Sequence, residues 1–125
     1  MRLLLDTQVF LWVADDSSRL RPQARESIFA ASEVFVSAAS IWEIAIKARL
    51  GKINVDAGEM VAAIEGSGFQ ELPVTAQHAI GVEHLPLYHN DPFDRLLVAQ
   101  ALAEPMRLLT ADGVLEQYTD LVIRA

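Results

Sequence analysis

Arg2-Leu-Leu-Leu-Asp6, followed by Thr7-Gln-Val-Phe-Leu-Trp-Val-Ala14, decides the fold. Three consecutive leucines carry no helical period and stop at a charged residue, as a strand buried on both faces does. Val9–Ala14 then reads as a helix, so the chain opens as a β–α unit. The pattern repeats downstream. Pro22–Ala31 is expected to be helical, with Pro22 near its start, where the missing N–H costs nothing. Val34-Phe-Val36 is a β-branched and aromatic triplet suited to a strand. Ser37 or Ser40 caps a long helix that stops at Gly51, which accepts the left-handed conformation at a helix end. Ala57–Glu65 and Thr75–Glu83 are further helices with a strand at Phe69–Leu72 between them. Asp91-Pro92 starts a helix running to about Ala103, and Arg107–Leu109 and Leu121–Ile123 are the last strands. Strands alternating with helices imply crossover connections and an α/β fold, with a mostly parallel sheet of four or five strands covered on both faces.

The 125 residues suit one domain, 1–125, with roughly two-thirds of the unfolded surface buried on folding. Apolar residues make up 52% and charged residues 22%, a globular rather than a disordered composition. With no cysteine, disulfides and thiolate metal sites are excluded, which fits a reducing cytoplasm. Leu3–Leu5 is too short for the core of an export signal, and Val9–Ala14 falls far short of the ~18 residues of a membrane span. A cytoplasmic protein without a membrane partner is expected.

The formal charge of −7 looks unsuited to a polyanionic partner. Its distribution changes that reading. Residues 53–94 hold seven acids (Asp56, Glu59, Glu65, Glu71, Glu83, Asp91, Asp94) and no Lys or Arg, whereas the remainder is balanced at ten acids and ten bases. The bases cluster at Arg19, Arg21 and Arg25 and at Lys47, Arg49 and Lys52, leaving room for a locally positive surface or for ordinary solvated helix faces.

Ligands of open α/β sheets bind beyond the carboxyl ends of the strands. Asp6 directly follows Leu3–Leu5, and Asp112 follows the strand ending at Leu109. Each has a plainer reading, Asp6 as a helix cap and Asp112 within a turn dipeptide. Glu43 lies in Ile41-Trp-Glu-Ile-Ala-Ile46, among large apolar residues, where an unpaired carboxylate costs several kcal/mol. It either pairs with Lys47 one turn on, worth only about 0.3–0.5 kcal/mol at a surface, or points at a cation or into a polar cleft. Asp91 fits the N-cap of its helix. Asp94, one turn in, serves the same helix start or projects toward the sheet crevice. Considered jointly, four acids in one crevice would repel strongly unless a cation compensated them. Oxygen ligands alone suit Mg²⁺ or Mn²⁺, and the matching chemistry is hydrolysis of a phosphodiester.

Four segments carry a family likeness: Leu3-Leu-Leu-Asp-Thr-Gln-Val-Phe-Leu-Trp12, Val36-Ser-Ala-Ala-Ser-Ile-Trp-Glu-Ile-Ala-Ile-Lys47, His89-Asn-Asp-Pro-Phe-Asp-Arg-Leu-Leu-Val-Ala-Gln-Ala101 and Leu108-Leu-Thr-Ala-Asp112. In order and spacing the chain resembles PIN-domain ribonucleases, specifically VapC-type toxins of prokaryotic toxin–antitoxin pairs. The resemblance implies a three-layer α/β/α sandwich and Mg²⁺- or Mn²⁺-dependent endoribonuclease activity leaving 5′-phosphate and 3′-hydroxyl ends. It also implies a homodimer, and a cognate antitoxin whose basic or apolar tail fills the acidic cleft.

Matched position by position, Asp6, Glu43, Asp94 and Asp112 are the acidic quartet. Asp6 and Asp112, with Asp94, are then the expected metal ligands, and Glu43 ligates through water or orients the attacking water. Asp91, Thr7 and Thr110 are supporting residues. Gln8 departs from the Asn or His usual after Asp-Thr. Lys47, Arg49, Lys52 and Arg95 are candidate contacts to RNA phosphates. His78, His84 and His89 lack metal-ligand spacing and are read as surface or loop residues, and Trp12 and Trp42 as core residues.

Two other chemistries begin with a strand and an aspartate. An aspartate-nucleophile phosphatase of the haloacid-dehalogenase type needs a second Asp where Gln8 stands. A phosphorelay receiver needs a lysine after a late strand, and none occurs after Lys52. The non-enzymatic alternative is an inactive PIN-like module that acts through protein partners.

Overall fold

The structure is a computed structural model that describes residues Met1–Ala125. Strand β1 (Arg2–Leu5) leads into helix α1 (Thr7–Ala14) and α2 (Pro22–Ala30). Strand β2 (Glu33–Ser37) is followed by α3 (Ala38–Arg49) and α4 (Ala57–Gly66). Strand β3 (Gln70–Leu72) leads to α5 (Ala76–Gly81), a 3₁₀ turn and α6 (Pro92–Ala103). Strand β4 (Arg107–Thr110), a 3₁₀ turn over Gly113–Gln117 and β5 (Val122–Arg124) complete the chain.

All five strands pair in parallel in the order β3-β2-β1-β4-β5. The triple leucine of β1 is therefore the middle of the sheet, and its side chains are fully buried as the lack of alternation predicts. Successive residues face opposite layers. Leu3 and Leu5 pack with Val9, Phe10, Val34, Val36, Ile44, Met60 and Ile64 on the face covered by α1–α4. Leu4 joins Phe35, Leu97, Val98, Ala101, Leu108 and Leu115 on the face covered by α6. Two apolar layers around one parallel sheet make the expected α/β/α sandwich.

The strand order reverses at β1: its neighbours are β2 on one side and β4 on the other. Such a switch point opens a crevice at the carboxyl ends of the two strands that flank it. Here those strands are β1 and β4. The Asp6 amide donates to the Leu109 carbonyl at 2.9 Å, carrying the ladder one residue past β1 and setting Asp6 beside the end of β4.

Two elements differ from expectation. The segment Thr75–Glu83 is not one helix. Thr75 is an N-cap, the helix stops at Gly81, and Val82–His84 tightens into the 3₁₀ turn. Trp42 is not in the core: it is 62% exposed, edge-on to Phe93 at 5.2 Å, while Trp12 packs against the core. The reason is phase along α3. Glu43 and Ile44 take the buried positions, so Trp42, Ile46 and Leu50, four residues apart, share the exposed face.

Candidate active site

The acids of the quartet enter the site from four different elements, and Asp91 joins them from the start of α6. Asp6 caps α1: its Oδ1 accepts from the Val9 amide at 2.7 Å. Its Oδ2 accepts from the Thr110 hydroxyl at 2.6 Å and the Ala111 amide at 2.9 Å. Thr110 in turn accepts from the Asp112 amide at 3.0 Å, so one hydroxyl ties the end of β1 to the loop after β4. Thr7 does the same between helices, donating to the Ser40 hydroxyl at 2.9 Å inside the protein. The cap reading and the crevice reading of Asp6 are thus both true.

Glu43 sits one turn into α3 with only 8% of its side chain exposed. Its Oε2 takes the Lys47 ammonium at 2.8 Å, while Oε1 is buried without a partner. Asp91 is the N-cap of α6, its Oδ1 accepting from the Phe93 and Asp94 amides. Asp94 extends from the first turn of that helix. Asp112 caps the following 3₁₀ turn through the Val114 amide at 2.9 Å.

All five carboxylates line one cleft of about 430 Å³, together with Thr7, Gln8, Leu11, Lys47, Ala111, Gly113 and Arg124. Burial and crowding act on their protonation. Burial pushes the Asp6 carboxyl up against the opposing hydrogen bonds from Thr110, Val9 and Ala111, and the Glu43 charge adds to the rise. Asp94 is pushed up to about 7, first by burial and then by Asp91 and Asp6; His89 opposes this and Glu43 reinforces it. Asp112 falls below the ordinary carboxylate range. Burial pulls it upward, but the Val114 amide, His89 and Arg124 together outweigh that pull. Lys47 is raised, chiefly by its hydrogen bond to Glu43.

A divalent cation suits this donor set. It is rich in carboxylate oxygen, it contains an orphaned buried oxygen in Glu43 Oε1, and burial together with neighbouring carboxylates pushes Asp94 up to about 7. Asp94 and Asp112 oxygens and His89 Nε2 lie within 4.8 Å of one another.

Several expected roles change. His89, read as a loop residue outside the chemistry, is in a loop but donates or accepts at 2.6 Å with Asp112 and lies 3.5 Å from Asp94. His78 is neither surface nor loop: it is buried on α5, bonded to Glu104 at 2.6 Å. Arg95 is no phosphate contact. It is buried, and its guanidinium donates to the carbonyls of Val82, Leu85, Pro86 and His89 and to the Tyr118 hydroxyl. Lys47 reaches the cleft but is paired, while Arg49 and Lys52 are exposed and do not line it. Arg124 was not anticipated. It stands at the carboxyl end of β5, so the strand-end rule that singled out Asp6 would have found it.

The PIN domain family profile matches residues 3–121, and the chain belongs to the PIN domain family. Several solved structures share the fold. One is VapBC2 from Rickettsia felis bound to a promoter DNA fragment, with a TM-score of 0.73 and 14% identity over 100% of this chain and 98% of the other. A toxin–antitoxin complex from Klebsiella pneumoniae gives 0.67 and 16% over 97% and 95%. FitAcB from Neisseria gonorrhoeae gives 0.58 and 18% over 90% and 89%. Among curated proteins no match was found.

Proposed function

We propose that the chain, acting as one PIN unit over residues 1–125, is a metal-dependent endoribonuclease using Mg²⁺ or Mn²⁺, the toxin of a toxin–antitoxin pair. One observation carries the reading: Asp6, Glu43, Asp94 and Asp112, from four elements, converge on a single cleft in which a buried Glu43 oxygen lacks a partner. Asp6, Asp94 and Asp112 would hold the cation, with Glu43 close behind them. A divalent ion held there would supply activation of water and compensation of charge on the phosphate and the leaving oxygen.

The chain's own groups do the rest. Thr110 and Ala111 fix Asp6 Oδ2, so this carboxylate is oriented before substrate arrives. Lys47 neutralises one oxygen of Glu43, leaving Oε1 to accept a hydrogen bond from the attacking water and aim it at phosphorus. Addition of that water with rupture of the bond from phosphorus to O3′ gives a 5′-phosphate and, after protonation of the leaving oxygen, a 3′-hydroxyl. Arg124 is the base at the cleft placed to meet a phosphate.

A cognate antitoxin is the proposed protein partner. A groove of about 590 Å³ shares Gln8 and Leu11 with the cleft and is lined by Trp12, Ile53, Val55 and Met60. A segment basic at the cleft and apolar along this groove would complement both. The homodimer would cover the exposed stripe Trp42, Ile46 and Leu50. No helix is long and apolar enough to cross a membrane, and the proposed site of action is the cytoplasm.

The test is incubation of purified protein with RNA, with and without Mn²⁺. Cleavage that requires Mn²⁺ and is lost in Asp6→Asn supports the reading. Cleavage that survives both EDTA and that substitution belongs to a contaminant. No metal-dependent cleavage of any RNA, with no growth arrest on expression, leaves a binding module.

A further inference from the structure

His89, which the quartet does not include, lies against the carboxylates of two of its acids. It has two ways to serve a cation site: as a nitrogen ligand, or as a hydrogen-bond donor that holds a carboxylate in place. The far side of its ring decides between them. His89 Nδ1 accepts from the Asp91 amide at 2.9 Å. A ring nitrogen that accepts carries no proton, so the proton of the neutral imidazole sits on Nε2. That nitrogen is 2.6 Å from Asp112 Oδ2 and 3.5 Å from Asp94 Oδ2. Ligating a metal through Nε2 would move the proton to Nδ1, directly against the Asp91 N–H.

The loop that presents the ring is itself fastened. The His89 amide donates to the Tyr118 hydroxyl at 3.0 Å, and Arg95 donates to four carbonyls of the Val82–His89 stretch, that of His89 among them. Most donors of a buried guanidinium are spent on this segment of irregular backbone, which fastens the loop that carries the ring. Asp112 meanwhile has its Oδ1 occupied by the Val114 amide, so its remaining freedom is rotation about that bond, and the His89 contact removes it.

We infer that His89 is a positioning residue of the metal site, an Nε2–H donor that holds the Asp112 carboxylate in its ligating orientation without binding the ion. The inference rests on the metal-dependent reading above and names which residue prepares that site. Asp91 gains a second duty: its side chain caps α6, and its backbone amide selects the His89 tautomer.

Two substitutions separate this role from a purely structural one. His89→Asn keeps an acceptor for the Asp91 amide but places no donor at Asp112. His89→Gln is long enough to place an amide donor there. Mn²⁺ binding to each purified protein is measured by titration calorimetry without RNA, alongside melting of the metal-free proteins and RNA cleavage. The expected order is wild type, then His89→Gln, then His89→Asn, the last weaker than wild type by about 10- to 100-fold. The reverse order of the two variants would make His89 a prop for the helix start and overturn the inference. So would wild-type affinity in His89→Asn, or tighter binding, which would make His89 a competitor of the ion. A wild type that binds no Mn²⁺ overturns the metal-dependent reading itself, and this inference with it.

Discussion

Replacing Asp94 by asparagine should stabilise the metal-free protein, and by an amount that depends on pH. Asp94 titrates near 7 in the folded chain against an ordinary value of 3.8. Between those values the folded state holds a proton that the unfolded state has released, so stability falls as pH rises. Below the lower value the group is neutral in both states and contributes nothing. Above the upper value it is charged in both, and the destabilisation is complete. About three pH units at about 1.4 kcal/mol each cap the effect near 4 kcal/mol. The side chain is 20% exposed, and water at the mouth of the cleft reduces the figure to about 1–3 kcal/mol. The opposing loss is an acid in the first turn of α6, worth about 0.3–1 kcal/mol, so relief of repulsion wins. Melting in EDTA should place Asp94→Asn roughly 3–10 °C above wild type at pH 8, with the gap closing toward pH 4. A gap independent of pH, or a lower melting point at pH 8, would refute the claim that crowded carboxylates strain this cleft.

Other expectations follow from the same geometry. Asp6→Asn, Glu43→Gln, Asp94→Asn and Asp112→Asn should each remove most RNA cleavage, read in a Mn²⁺-dependent assay. Asp6→Asn, unlike Asp94→Asn, should not raise the melting point, because an amide cannot accept from Val9, Thr110 and Ala111 at once; a clear rise would show those hydrogen bonds to be weak. Arg95→Met should destabilise by about 2–4 kcal/mol by orphaning loop carbonyls, with denaturant unfolding as the readout. Millimolar Mn²⁺ should raise the wild-type melting point through about 2.7 kcal/mol of linkage at a hundred times its dissociation constant, and a flat calorimetric trace would count against a preformed site.

Much of the architecture was legible because the strongest local signals agree with the tertiary ones. A leucine triplet without alternation became the central strand. Asp91-Pro92 started α6 where a cap followed by proline should. Gly51 adopts φ +73° and ends α3 with the Lys52 amide reaching back to the Lys47 carbonyl. The strand-end rule brought Asp6 and Asp112 into view, the apolar setting brought Glu43 and the start of α6 brought Asp94, and the structure gathers the four at one cleft. What sequence could not supply was direction. Trp42 is large and apolar, yet helix phase turned it outward. Arg95 is charged, yet it lies inside because irregular backbone nearby needed donors. His89 carries no periodic signal at all, since its place is set by a loop folded back on Arg95 and Tyr118.

The strand order has a consequence for how the protein is made. Asp6 is translated well before its hydrogen-bonding partners Thr110 and Ala111, which come more than a hundred residues later. Until β4 docks beside β1, the growing polypeptide has three acids of the quartet and an incomplete cleft. On the nuclease reading proposed above, chains cut short before β4 would lack both the anchor of Asp6 and Asp112 itself, and should be inactive.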